Sequence, residues 1–394
     1  MSKLEKLLEG VEVEWMALGE VCDFRNGFAF KSKFFKEVGL PIIRITNIDG
    51  KEVNLSDVKY FDLKDYINSD LSNYKIIKGD ILIAMSGATT GKIGYHNSEK
   101  TAYLNQRVGK FEPNVEILNN RFLYHFLLSK VETIYVLAGG GAQPNLSSNK
   151  LKEKLQIPIP PLKIQKEIVR ILDSFTELTT ELTTELTARK KQYSYYREQL
   201  LTFEDGEVEW KTLGEVAEYS KTRISFEELN EDNYVGVDNL LQNRLGKKIS
   251  SRVPTKGNST QYVVNDVLIG NIRPYLKKIW FSDCIGGTNG DVLVIRITDS
   301  KITPKYLYQI LADDGFFEYN MQHAKGAKMP RGNKSKIMEY LVPIPSLKEQ
   351  ERIVNILDKF DTLTTSISEG LPKEIDLRKK QYEYYREKLL SFPK

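Results

Sequence analysis

The sequence RKKQYSYYREQLLTF at residues 189–203 returns at residues 378–392 as RKKQYEYYREKLLSF, with twelve of the fifteen positions identical. Two copies of one long segment, about half a chain apart, indicate a duplicated unit. Such an internal repeat determines the architecture more strongly than any local motif. The sequence therefore predicts two structurally related halves.

Two shorter motifs are duplicated in the same order. VEW followed by LGEV occupies residues 13–21 and returns at residues 208–216. IPIP at residues 157–160 returns as VPIP at residues 342–345, and each is followed by a leucine and a glutamine, Gln165 and Gln350. The stretches between the motifs barely match. A common frame therefore carries two different inserts.

The segment that joins the two halves reads as one long helix. It has no glycine or proline from 162 to 203, and it contains an ELTT tetrapeptide run at 177–187. Its apolar residues alternate at steps of three and four, which is the seam of a coiled coil. They are Ile164, Ile168, Ile171, Phe175, Leu178 and Leu182.

A helix with one apolar stripe needs a partner helix. The second copy provides one, with a seam of Ile353, Ile356, Phe360, Leu363 and Ile367. That copy is four residues longer and contains Gly370-Leu371-Pro372. Because proline disrupts a helix interior, we predict a break or kink near Gly370–Pro372.

Both inserts have the pattern of α+β domains with mixed or antiparallel sheets. Short β-like runs begin at Pro41, Asp80 and Val108 in the first insert, and a helical run follows at 120–127. The second insert echoes them, with runs that begin at Tyr234, Asp266 and Val292 and a helix near 304–311. Glycine, asparagine and serine punctuate these runs.

Loops at matching places in the two inserts carry side chains suited to DNA. Arg and Lys suit guanine edges, Asn and Gln suit adenine, and hydroxyls and the amides of glycine-rich loops suit phosphates. For any single residue a solvated loop is the commoner explanation, but the same places are equipped in both domains. The predicted DNA-binding residues are Arg44, Asn47, Ser86, Thr89, Thr90, Lys92, Asn105, Gln106, Arg107, Gln143, Asn145, Asn239, Asn271, Arg273, Tyr275, Lys277, Lys278, Asn289, Lys328, Arg331 and Lys334.

Composition sets few further limits. The 394 residues carry a net charge of +4, which permits nucleic acid as a partner without requiring it. Two separated cysteines fit a reducing compartment. The sequence contains no apolar run long enough to predict a membrane span. Its first residues lead into no apolar segment of the kind that predicts a signal peptide. We therefore expect a cytoplasmic protein.

Catalytic motifs are missing from the pattern. The loop SGATTGK at 86–92 departs from a phosphate-binding loop because isoleucine follows the lysine. The three histidines stand at no metal-ligand spacing. Neither a nucleophile elbow nor an adenine-methyltransferase tetrapeptide occurs. The chain reads as a binding protein, with no catalytic, cofactor-binding or metal-binding residue predicted.

Together the duplicated motifs resemble those of the specificity subunit of type I restriction–modification enzymes, over essentially the whole chain. The resemblance implies an α+β fold in which two α/β target-recognition domains are joined by long antiparallel helices in a coiled coil, with a pseudo-two-fold internal repeat. It implies domains at 1–155 and 206–340, with helical regions at 156–205 and 341–394. Each domain would read one half of a bipartite double-stranded DNA site.

The same resemblance implies the partners. Two methyltransferase subunits, which use S-adenosylmethionine, would dock on the frame and flip out an adenine in each half-site. Motor–nuclease restriction subunits, which use ATP and magnesium, would join for cleavage. The chain itself would hold no cofactor.

Two alternatives remain from the sequence. One is a non-catalytic coiled-coil adaptor with two protein-binding modules, whose binding would not fall steeply with salt as phosphate contacts do. The other is an enzyme with an unrecognised site. The tyrosines at 193, 195 and 196 could stack on bases, but beside leucines we favour packing or partner contacts for them.

Overall fold

The protein is described here from a computed structural model that covers residues 7–141, 144–204, 206–366 and 369–393. It forms two compact units, Met1–Glu181 with Asp376–Lys394 (unit 1) and Leu182–Ile375 (unit 2). Gln143 and Ile367, which were named above, lie outside the described residues. Within the described part of the chain, no helix is long and apolar enough to cross a membrane.

Unit 1 begins with a series of short strands and helices. In chain order they are β1 (Glu14–Ala17), α1 (Leu18–Val21), β2 (Cys22–Asn26), β3 (Leu40–Ile43), β4 (Lys59–Phe61), β5 (Lys75–Ile76), β6 (Ile81–Ala84), β7 (Ile93–Tyr95), β8 (Ala102–Leu104), β9 (Val108–Pro113), α2 (Asn120–Ser129), α3 (Val131–Leu137), α4 (Ser148–Lys154) and β10 (Gln156–Ile159). Helix α5 (Leu162–Leu201) follows and continues into unit 2.

Unit 2 repeats this order. Its elements are β11 (Glu209–Thr212), α6 (Leu213–Val216), β12 (Ala217–Tyr219), β13 (Arg223–Ser225), β14 (Tyr234–Val235), β15 (Asn258–Tyr262), β16 (Val267–Gly270), β17 (Ile279–Phe281), β18 (Gly286–Thr288), β19 (Val292–Ile297), α7 (Pro304–Leu311), α8 (Asp314–Gln322), α9 (Lys334–Met338), β20 (Leu341–Ile344) and α10 (Leu347–Thr365). Helix α11 (Gly370–Leu390) begins in unit 2 and ends in unit 1.

Several 3₁₀ turns connect these elements. They are Ser32–Phe34, Ile45–Asn47, Leu63–Tyr66, Ser72–Tyr74 and Gly87–Thr89 in unit 1, and Phe226–Glu228 and Pro274–Leu276 in unit 2.

The duplicated motifs form the same small frame in each unit. Strand β1 pairs antiparallel with β10, which places Trp15 opposite Pro158, and β11 pairs with β20, which places Trp210 opposite Pro343. The motifs at the two ends of each insert are therefore neighbouring strands. This pairing brings the two ends of each insert together.

The glutamine after each Pro-x-Pro motif is fully buried and fastens the frame to the domain. The Gln165 amide accepts a hydrogen bond from the Asn119 backbone N–H at 2.8 Å and donates to the Ile117 and Pro160 carbonyls, each at 2.8 Å. Gln350 makes the same three bonds, with Thr303, Lys301 and Pro345. Since a buried amide must satisfy its hydrogen bonds, this explains why glutamine occupies both positions.

The inserts share a four-stranded sheet and differ in a second one. The orders β2-β9-β6-β7 and β12-β19-β16-β17 are equivalent and antiparallel throughout. In the second sheets, β3-β8-β5 corresponds to β14-β18-β15, each with one parallel pair. The fourth strand lies at opposite edges, because β4 pairs with β3 whereas β13 pairs with β15. The predicted α+β class is confirmed.

The helices pack on the opposite repeat copy, as predicted. In unit 1, Phe175 of α5 stacks on Tyr385 of α11 with ring centres 5.2 Å apart. In unit 2, Tyr193 and Tyr196 of α5 stack on Phe360 of α10, each at 5.7 Å. Packing of tyrosines 193 and 196 is therefore confirmed, while Tyr195 is 60% exposed.

The predicted seam included the buried residues Ile168 and Ile353 but omitted two others, Leu172 and Leu357. Leu172 and Leu357 are 0% exposed and belong to the apolar cores of their units, together with Ile168 and Ile353. A recognition-domain helix and a partner helix both pack on each long helix. A single heptad seam therefore described only part of its apolar surface.

The predicted break in the second helical copy is confirmed. Helix α10 ends at Thr365 and α11 begins at Gly370, so the interruption precedes Pro372, which lies in the first turn of α11. Proline is tolerated there because the first N–H groups of a helix have no intrahelical partner.

Candidate nucleic-acid interface

Three loops of unit 1 meet beside the end of β6. The turn after this strand (residues 85–92, the β6 turn) receives a hydrogen bond from Leu146 N to Met85 O at 2.8 Å. Met85 N donates to Arg107 O at 2.9 Å, and Gly87 N donates to Pro144 O at 3.2 Å. These bonds join the β6 turn to the turn between β8 and β9 (residues 105–107) and to the loop before α4 (residues 139–146, the glycine-rich loop of unit 1).

Unit 2 joins its equivalent loops in the same way. The turn after β16 (residues 271–278, the β16 turn) donates from Asn271 N to Asp291 O at 2.8 Å and from Arg273 N to Pro330 O at 2.7 Å. Gly332 N donates to Asn271 O at 3.0 Å. The three bonds match one for one, so the two domains present the same three loops with different side chains.

Some predicted residues of unit 1 serve the fold. Asn47 is 3% exposed, accepts from Arg44 N at 3.0 Å and donates to Asp57 O at 2.7 Å. The Thr90 hydroxyl, also buried, lies 2.7 Å from Gly87 O and 3.1 Å from Pro144 O. Both side chains shape the loops from within.

Other predicted residues of unit 1 have polar side-chain atoms without a hydrogen-bond partner in the described part of the protein. Arg44 Nε, Ser86 Oγ and Thr89 Oγ1 are buried atoms that have no hydrogen-bond partner among the described residues. Buried polar groups are almost always satisfied, so water or a ligand is expected there. The remaining candidates are exposed or half-buried in the same loops, namely Lys92, Asn105, Gln106, Arg107 and Asn145.

Four predicted residues of unit 2 are held by the protein. Asn239 accepts from Gly236 N at 2.9 Å and is buried. Lys278 Nζ donates to Val237 O at 2.6 Å, and burial lowers the pKa of this ammonium. Lys277 Nζ lies 2.6 Å from Asp314, and Arg331 lies 2.6 Å from Asp291. Asn239 and Lys278 are therefore fixed inside the domain, whereas Lys277 and Arg331 have exposed ion pairs.

The other predicted residues of unit 2, apart from Asn271, are more accessible to solvent. Arg273, Tyr275, Lys328 and Lys334 are exposed. Asn289 is half-buried and accepts from Asp291 N at 3.1 Å. DNA contact by any of these residues stays a prediction.

A pair of asparagines lies under the glycine-rich loop of unit 2. A Cβ on Gly332 would lie 2.6 Å from Asn271 Oδ1 and 2.5 Å from Asn320 Oδ1, so only glycine fits there. Asn271 Oδ1 and both polar atoms of the Asn320 side chain are buried without a partner in the described part of the chain. Buried polar groups are almost always satisfied, so water or a ligand is expected at these atoms.

Sequence reasoning missed the carboxylates that organise the loops. Asp314 holds both Lys277 and the Arg244 guanidinium, and Asp291 holds Arg331. Burial raises the pKa of Asp314, but Lys277 and Arg244 outweigh that effect and lower it below its ordinary value. An aspartate at a helix start, such as Asp314, or in a turn, such as Asp291, carries no sequence signal for such a role. Among the described residues, no three side chains of His, Cys, Asp or Glu come together as a metal site would require.

Comparison with known proteins supplies the family. The model of the type I restriction modification DNA specificity domain matches residues 10–190 and again residues 206–377. The chain is 34% identical over 415 aligned positions to the EcoR124I/EcoR124II type I restriction enzyme specificity subunit of Escherichia coli, covering 100% of this chain and 98% of that one. It is 33% identical to a putative type I restriction enzyme specificity subunit of Haemophilus influenzae, covering 99% and 98%.

Solved structures agree in fold. The type I restriction–modification S subunit from M. genitalium superposes with a TM-score of 0.63 at 18% identity, with complete coverage of both chains. A chain from a structural study of type I restriction–modification complex assembly matches with a TM-score of 0.57 at 18% identity, covering 97% and 98%. The family model, the two relatives and the repeated recognition loops agree, and the chain belongs to the type I restriction–modification DNA specificity family.

Proposed function

We propose that this DNA specificity subunit reads a bipartite site, with the loops of unit 1 on one half and the loops of unit 2 on the other. The observation that carries this proposal is the pair of matched loop triads, held by the same three backbone hydrogen bonds but carrying different side chains. Identical scaffolds orient two readers alike, and different side chains give each reader its own sequence.

The chain acts without catalysis in this proposal, and its partners supply the chemistry. Methyltransferase subunits with S-adenosylmethionine modify an adenine in each half-site, and restriction subunits with ATP and magnesium cleave. The chain holds no cofactor and works in the cytoplasm, where the DNA lies. Exposed aromatic residues on the helices, such as Tyr195 and Tyr384, offer contact surface for protein partners.

The test is expression of the full chain with its methyltransferase subunit in a host that lacks both, followed by sequencing of modified bases. A new methyladenine motif in two parts, separated by an unread spacer, is expected. The methyltransferase alone should leave the genome unmodified. An assembled complex that modifies no motif and binds DNA without sequence preference would contradict the proposal and favour the protein adaptor.

A further inference from the structure

The β16 turn contains two residues in a backbone conformation that glycine normally occupies. Arg273 has φ +52° and Lys277 has φ +50°. The equivalent residues of the β6 turn are Gly87 at φ +79° and Gly91 at φ +86°. The equivalence follows from backbone bonds, because Gly87 N donates to Pro144 O as Arg273 N donates to Pro330 O. Unit 1 therefore builds the turn with glycines and unit 2 builds it with cations.

This choice is unfavourable for the fold alone. A side chain in the left-handed region is destabilising, and strained backbone persists only where its surroundings compensate or function requires it. Non-glycine residues with positive φ are uncommon. Three of the five in the described chain, Arg244, Arg273 and Lys277, are cations at or against this turn.

Two of the three cations make side-chain contacts that offset the cost of their backbone conformation. Lys277 Nζ lies 2.6 Å from Asp314, and the Arg244 guanidinium binds the same carboxylate and the Ala312 carbonyl. Arg244 N also donates to Lys277 O at 3.0 Å. These contacts tie the β16 turn to the start of α8, so both residues have a structural reason for their conformation.

The Arg273 side chain has no such contact with the described part of the protein. Its side chain is exposed, and within the described ranges no hydrogen bond, ion pair or ring contact involves its guanidinium. Its backbone bonds to Pro330 O and from Leu276 N would be made equally well by glycine. The fold therefore explains the conformation at position 273 but not the arginine, and the turn fixes the backbone that carries this exposed side chain.

Resting on the proposed function, we propose that Arg273 is the specificity-determining residue that reads a guanine in the half-site bound by unit 2. A guanidinium donates two parallel hydrogen bonds to guanine O6 and N7 in the major groove, the commonest specific contact between proteins and DNA. A pre-organised turn lowers the entropy lost when such a side chain is fixed. The equivalent Gly87 provides no side chain, so unit 1 reads its half-site by other groups.

The test compares Arg273→Gly and Arg273→Ala in the full chain assembled with its methyltransferase subunit. Binding is measured on duplexes in which each base pair of each half-site is replaced in turn. Both variants should lose discrimination by roughly ten-fold or more at one G·C pair of one half-site, and keep it elsewhere. Arg273→Gly should unfold at the wild-type temperature or above, and above Arg273→Ala, because glycine removes the strain.

Asn265→Gly is the matched control. Asn265 also has positive φ, at +73°, but lies in the exposed turn between β15 and β16. This variant relieves strain in the same unit and should leave every base preference unchanged. It separates an effect of the Arg273 side chain from an effect of backbone relaxation.

The outcomes distinguish this inference from the proposed function. If the wild-type complex has no sequence preference, the proposed function fails first. If the wild type is specific and Arg273→Gly is equally specific, only the role of Arg273 is wrong. A uniform loss of affinity over all duplexes, with a salt slope lower by about one, would make Arg273 a phosphate contact and overturn the guanine assignment. Thermal destabilisation by Arg273→Gly would show that the arginine supports the fold and would also overturn it.

Discussion

At the scale of single residues, the two units use different chemistry at one position. His125 of α2 is fully buried, with Nε2 2.9 Å from Asp173 Oδ1 and Nδ1 2.9 Å from the Tyr382 hydroxyl. Gln309 holds the equivalent place on α7, bonded to Asp358 and Arg197. Both side chains connect the recognition domain to the long helices of its own unit, but only the histidine can take up a proton, because the glutamine amide does not titrate.

This difference predicts a pH dependence confined to unit 1. Burial lowers the pKa of His125 below its ordinary value of 6.5, Asp173 opposes the shift, and Arg121 and Arg386 add to it. Below pH 6.5 the unfolded chain takes up a proton that folded unit 1 resists, so stability falls with pH until the lowered pKa is passed. The slope is at most about 1.4 kcal/mol per pH unit for one group.

His125→Gln, which copies unit 2, should flatten that slope between pH 6.5 and 5. Thermal unfolding of the full chain across this range measures it. His323→Gln is the control, because His323 lies in unit 2 outside this network. Equal slopes in wild type and His125→Gln would contradict the assignment.

The buried glutamines of the frame give a second prediction at this scale. Gln165→Ala leaves Asn119 N and the Ile117 and Pro160 carbonyls unpaired, which should destabilise unit 1 by about 2–3 kcal/mol. Hydrogen-exchange mass spectrometry should show lost protection around these backbone groups. The exposed Gln199→Ala should change little. An unchanged exchange pattern in Gln165→Ala would mean that the glutamine does not fasten the frame.

At the scale of elements, glycine rather than proline sets the break between α10 and α11. Gly370 has φ +73°, and a Cβ there would lie 2.3 Å from the Thr362 carbonyl and 2.8 Å from the Leu363 carbonyl. The chain turns back close to the end of α10 at this point. Pro372 then lies where a helix tolerates it.

Gly370→Ala should therefore destabilise unit 2 by more than about 1 kcal/mol, from the left-handed backbone and the clash together. Urea unfolding measures this change. Gly290→Ala is the control, because a Cβ at Gly290 meets open space. Pro372→Ala should be mild by comparison, and a larger effect of Pro372→Ala would reverse the assignment.

At the scale of the whole molecule, the same arrangement of elements occurs twice, and the end of the chain packs in unit 1 beside its beginning. The Trp15 indole N–H donates to the Pro393 carbonyl at 3.0 Å, so unit 1 joins segments that are 378 positions apart. Helix α5 runs without interruption through the boundary between the units at Glu181 and Leu182, inside the ELTT run. The length of that run therefore sets the length of a helix that belongs to both units.

Insertion of one further Glu-Leu-Thr-Thr after Thr184 should lengthen the unread spacer of the DNA site by about one or two base pairs. Four residues add about 6 Å of helix, against about 3.4 Å per base pair. Both half-sites should stay the same when the methylated motif is mapped. A chain with Thr183→Ala and Thr184→Ala keeps the helix length and should keep the spacer. An unchanged spacer in the insertion variant would mean that the helix does not set it.

The sequence by itself determined the duplication, the α+β class, the long helix, the break in the second helical copy and three strands of each insert. Each of these depends on local pattern, such as periodicity, the absence or presence of glycine and proline, and repetition of motifs. Positions of the loops likewise followed from strands that end at matching places. Helix α7 (Pro304–Leu311) lies where the sequence predicted a helix near 304–311.

Only the tertiary structure decided which side chains those loops leave available. Thr90 and Lys278 looked like Arg273 in sequence, yet their side chains are held by Pro144 and Val237, 54 and 41 positions away. Asn47 and Asn239 are held within their own loops, by Asp57 and Gly236. Left-handed backbone at Arg273 was equally invisible, since the turn that contains it is hydrogen-bonded to Pro330, 57 positions later. Whether a polar side chain is satisfied, and whether its backbone is strained, depends on contacts between segments distant in sequence, which local pattern does not encode.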